Sequence, residues 1–117
     1  MKKSQIIKTI DIAPEQQSKL EHIDLALWIS TEDNAIGNAS LFINLHIEGK
    51  KTRLKVDQVA ITNIKVSLLN NHIILSDYKK VSCITLELES SCTNTKVDST
   101  HMHLEFRKVR TTRNKAA

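Results

Sequence analysis

A chain of 117 residues with 40% apolar side chains can bury one hydrophobic core and one domain, not two. Its formal charge of +4 is concentrated at one end: Arg107, Lys108, Arg110, Arg113 and Lys115 stand in a C-terminal stretch without an acid, while residues 1–106 hold 12 basic and 13 acidic groups. A body so close to neutral excludes a broad basic surface, and only two glycines, Gly37 and Gly49, exclude the glycine-rich phosphate loops of nucleotide-binding enzymes.

Apolar and polar residues alternate from near the N-terminus to about position 109, the period of strands with one buried face. A first strand is expected around Gln5 to Ile12. Ala13-Pro14-Glu15-Gln16-Gln17 then offers one or two helical turns, with proline at the first helical position and an acid in the first turn. Ile23, Leu25, Leu27 and Ile29 alternate with His22, Asp24, Ala26 and Trp28, and Leu41, Ile43, Leu45 and Ile47 with Phe42, Asn44 and His46. Glu48-Gly49-Lys50-Lys51 reads as a glycine turn leading into Arg53, Leu54, Lys55 and Val56, a hairpin with a basic tip.

Further strands are expected over Val59 to Leu68, His72 to Leu75, Val81 to Leu88 and Met102 to Phe106, with turns at Asn70-Asn71 and Ser76-Asp77 and a polar loop over Ser90 to Asp98. Seven or eight short strands at this spacing predict an all-β protein, an antiparallel β-sandwich or small barrel with at most one short helix. Residues 1–109 form the single domain in this reading and residues 110–117 a flexible basic tail. The run Val59 to Leu68, then Thr85-Leu86-Glu87-Leu88, then His103-Leu104-Glu105-Phe106 resembles the strand order of PilZ domains, small barrels that bind cyclic-di-GMP. The family's paired-arginine motif is missing, and Thr62 to Lys65 supplies neither the serine nor the glycine of its second motif, so the resemblance carries over no ligand.

The chemistry-bearing residues are few. Cys83 and Cys92 are expected to be reduced thiols, Cys83 as a small core residue. His101-Met102-His103 puts two imidazoles on one strand face, the side on which any half-exposed strand carries its polar residues, so no metal site is assigned. Glu32-Asp33 lies in a polar turn between strands, and no nucleophile elbow is present. No enzymatic activity and no cofactor are expected. The N-terminal lysines precede no signal-type apolar run and no window reaches membrane-spanning length, so the chain is expected to be cytoplasmic and without a membrane partner.

Two sets of residues are left as candidates. Trp28 and Phe42 fall on the faces opposite the apolar runs of their strands, where exposed aromatic rings would dock a protein partner or a second copy of the chain. Free strand edges offer a second route to a partner. Lys50, Lys51, Arg53, Arg107, Lys108, Arg110, Arg113 and Lys115 could bind anions or nucleic acid by neutralising phosphates. Against the latter, the only aromatic residues available for base stacking are Trp28, Phe42, Tyr78 and Phe106. The first expectation is thus a non-enzymatic interaction module, a subunit or accessory component of a larger assembly, and the second a small anion-binding protein acting through its tail.

Overall fold

The computed structural model describes residues 3–15, 21–31, 36–62, 66–75, 80–92 and 95–107, and contains seven strands. They are β1 (Lys3–Asp11), β2 (His22–Ser30), β3 (Ile36–Ile47), β4 (Lys50–Thr62), β5 (Val66–Ile74), β6 (Val81–Ser90) and β7 (Lys96–Arg107). Two antiparallel sheets result, one in the order β1-β6-β3-β4 and the other in the order β5-β2-β7. The all-β sandwich expected from the alternation is the fold observed. Pro14 and Glu15 open a 3₁₀ turn where a short helix was expected, and the rest of that expected helix lies outside the described residues. The acidic turn at Glu32-Asp33 and the tail beyond Arg107 also lie outside them.

Period-two patterning builds the core directly. Ile23, Leu25, Leu27 and Ile29 of β2, in the middle of one sheet, are buried in the same cluster as Leu41, Ile43 and Leu45 of β3 and Ile84, Leu86 and Leu88 of β6, in the middle of the other. Fully burying each such side chain contributes about 1.5–3 kcal/mol, so these central strands carry most of the hydrophobic stabilisation. The hairpin between β3 and β4 closes on Glu48 (φ 48°) and Gly49 (φ 81°), with Ile47 paired to Lys50. Two consecutive left-handed residues make a type I′ turn, whose twist matches that of the strands.

Two expectations need correcting. Asn70-Asn71 is not a turn: both residues lie inside β5, opposite Ala26 and Leu25. Asparagine is tolerated there because β5 is an edge strand and tertiary bonds take up its polar groups. The Asn70 backbone N–H donates to Asp57 Oδ2 (2.9 Å), and Asn71 Nδ2 donates to the Val56 carbonyl (2.6 Å). Conversely, β4 runs on without a break through Val59 to Thr62, because its register slips by one residue at Val56 and the pairing with β3 resumes beyond it. The second correction concerns the cysteines. Cys92, not Cys83, is the buried core thiol, while Cys83 stands half-buried opposite His46 on the outward side of β6, and both are free.

Candidate functional site

Because the inward positions of β2 and β3 fill the core, their alternate residues point away from it on opposite sides of the sandwich. Trp28 lies on the outer face of the three-stranded sheet and Phe42 on the outer face of the four-stranded sheet. They therefore cannot form one contact surface.

Phe42 sits within a polar layer. The Arg53 guanidinium lies 3.6 Å from the centre of its ring, and Lys55 Nζ lies 5.9 Å away. Arg53 is held there by Glu89, with Nη2 to Oε2 at 3.2 Å, and by Glu87, with Nε to Oε1 at 3.6 Å. Glu87 also accepts bonds from Ser4 and from Asn44 Nδ2 (3.1 Å), whose amide reaches Thr85 Oγ1 as well (3.2 Å). The hydrogen bonds from Ser4 and then Asn44 hold the Glu87 carboxyl below the usual carboxylate range; the positive charges of Arg53 and Lys51 add to this, and burial opposes it. On the next row of the same face, burial reinforced by the Asp11 carboxylate pushes the Cys83 thiol up, which keeps it protonated and unreactive near neutral pH.

The anion-binding candidates are treated unequally. Arg53 is committed to Phe42, Glu87 and Glu89, and Lys55 Nζ donates to Gln58 Oε1 at 2.6 Å. Lys50 and Lys51 at the start of β4 are exposed and, among the described residues, carry no ion pair. At the hairpin tip Glu48 Oε1 meets Lys80 Nζ at 3.0 Å, so this acid is neutralised by Lys80 and does not offset Lys50 and Lys51. Arg107 ends β7, and Lys108, Arg110, Arg113 and Lys115 lie outside the described residues.

The face around Trp28 has the opposite character. Trp28 is 39% exposed and pairs across the ladder with Leu68, itself 36% exposed, while neighbouring Val66 is 50% exposed opposite Ser30. Three large apolar side chains thus adjoin on one open sheet face. At the other end of β2 the same face becomes polar: His22 Nδ1 lies 2.5 Å from His72 Nε2, and His72 Nδ1 lies 2.5 Å from Asp24 Oδ1. The sequence exposes Trp28 by its position in the alternation, but Val66 and Leu68 could not be assigned to the same face until the β2–β5 register was known.

The sheet edges are guarded. The β4 and β5 edges face each other and are tied by the Asp57 and Asn71 side chains. On β1 a bulge at Ile7 and the exposed Lys3 and Lys8 interrupt the free edge, and on β7 residues 99–102 stand opposite the single residue Leu27. Bulges, lysines and covered edges are the devices that discourage strand addition. Among the described residues no helix is long and apolar enough to cross a membrane. No protein-family model matches the chain, and no curated protein is similar to it in sequence.

Proposed function

We propose that the chain is a non-enzymatic protein-interaction module whose contact surface is the outer face of the three-stranded sheet, centred on Trp28. The observation that carries this reading is the adjacency of Trp28, Leu68 and Val66 on one exposed face. An exposed cluster of this kind costs solubility and is retained where a partner covers it, and tryptophan is the residue type most enriched among dominant interface contacts. Phe42, shielded by Arg53, leaves the contact set, and the guarded edges make strand addition a lesser route. A role as an accessory component of a larger assembly follows from the same surface.

Capture from native extract tests the reading with three full-length proteins: the unaltered chain, Trp28→Ser, and a variant with Arg110, Arg113 and Lys115 replaced by glutamine. A protein retained by the first and third, lost by the second, and insensitive to nuclease and to salt is the expected result. Loss on nuclease treatment, or with the neutralised tail, would instead make the chain an anion-binding protein acting through residues 107–115.

A further inference from the structure

The polar end of the Trp28 face brings together three side chains from two strands. His22 and Asp24 project from the same side of β2, and His72 projects from β5 directly opposite Asp24. A carboxylate can only accept, so the contact of 2.5 Å between Asp24 Oδ1 and His72 Nδ1 requires the proton to sit on His72 Nδ1. In the neutral ring this leaves His72 Nε2 as the lone-pair nitrogen, and it faces His22 Nδ1 at 2.5 Å, with the ring centroids 4.7 Å apart.

We propose that His22 Nδ1 and His72 Nε2 are the two protein ligands of a binding site for a divalent transition ion of the zinc or copper class, with Asp24 as the carboxylate that orients His72. Metal-bound imidazoles commonly donate their other ring proton to a carboxylate, which fixes the tautomer and strengthens the donor nitrogen. The Asp24–His72 pair supplies that arrangement with the correct nitrogen turned to the ion. Imidazole suits zinc, copper and nickel, whereas magnesium and calcium take oxygen ligands.

Two Zn–N bonds of about 2.0–2.1 Å at a tetrahedral angle need their nitrogens about 3.3 Å apart, so the rings must turn and separate from the 2.5 Å contact. Both residues lie on the open face, with His72 39% exposed, and a small rotation of the rings is not opposed by core packing. To present Nδ1 to the ion, His22 carries its proton on Nε2, while His72 keeps its own on Nδ1. Among the described residues no group of three or more histidine, cysteine or acidic side chains is placed to hold one ion, so water completes the coordination and the ion exchanges readily.

Calorimetric titration of the full chain with Zn2+ alone, near neutral pH, tests the site, with Mg2+ as a comparison. One Zn2+ per chain and no Mg2+ response are expected. Asp24→Asn should weaken zinc binding by about 10–100-fold, and His22→Gln and His72→Gln by at least as much. His103→Gln, which alters a histidine paired to Glu105 on the neighbouring strand, should leave it unchanged. Should a variant fail to fold, long-range 1H–15N spectra of the unaltered chain give an independent answer, since Zn2+ must perturb His22 Nδ1 and His72 Nε2 selectively. Undiminished binding in His22→Gln and His72→Gln, loss in His103→Gln, perturbation of other histidines, or no binding up to about 1 mM Zn2+ overturns the proposal.

Discussion

Glu87 shows how one side chain organises a face of this molecule. It receives Ser4 from β1, Asn44 from β3 and Arg53 from β4, so three strands converge on one carboxylate on the fourth. Those bonds favour its ionised form, and its acidity in the folded chain is therefore greater than in the unfolded chain. A group depressed in this way contributes stability that is fully present above its unfolded value and is lost as pH falls through the folded one. Glu87→Gln should accordingly cost about 1–2 kcal/mol at neutral pH, with the difference from the unaltered chain shrinking as the pH is lowered through the acid range. Thermal unfolding followed over a pH series measures this, and a cost independent of pH would mean that packing, not charge, holds the network. The same polar layer explains the fate of Phe42, whose exposure would need a bare outer face and which instead lies under a guanidinium.

Alternation was enough to place β2, β3 and β6, because a central strand with one face in the core has no other way to arrange its apolar residues. It misplaced the junction of β4 and β5, reading Val59 to Leu68 as one strand where β4 ends at Thr62 and β5 begins at Val66, because polar residues of these edge strands are satisfied by tertiary bonds that leave no local mark. Asn70-Asn71 carries turn chemistry in sequence, yet its groups bond to Asp57 and Val56, more than ten residues away. For the same reason Trp28 was legible as an exposed ring, whereas its neighbours Val66 and Leu68 and the facing of His22 by His72 depend on a cross-strand register that composition does not encode. Both oxygens of the Asp57 carboxylate accept, one from the backbone N–H of its neighbour Gln58 and one from that of Asn70 across the gap between sheets. Replacing it by alanine should lower stability by about 1–3 kcal/mol and leave an edge amide of β5 without that partner. The Asp57→Ala variant should then self-associate at concentrations where the unaltered chain does not, as read by light scattering. Lower stability without self-association would show that the β5 edge is protected by something other than this bond.

Among the described residues the cations of β4 are not equivalent: Arg53 belongs to the paired polar layer on the four-stranded sheet, whereas Lys50 and Lys51 are exposed and carry no ion pair. This difference predicts that cations close in sequence behave differently. Arg53 is two residues from Lys51, but its charge is spent on Glu87, Glu89 and the Phe42 ring. Its side chain is 40% exposed, so screening reduces the ion pairs to a few tenths of a kcal/mol each, and the stack on Phe42 adds about 0.5–1 kcal/mol. Arg53→Gln should thus lower stability by about 1–2 kcal/mol, a fall of several degrees in Tm for a domain of this size, and leave affinity for a generic polyanion unchanged. Lys50→Gln with Lys51→Gln should do the reverse. Tm should hold, while the slope of log affinity for duplex DNA against log salt concentration, measured at low ionic strength, falls by up to about 2, close to 0.9 for each phosphate contact removed. If Arg53→Gln flattened that slope as much as the lysine pair did, the outer layer of the four-stranded sheet would be open to phosphates, and anion binding would extend from the hairpin tip along β4.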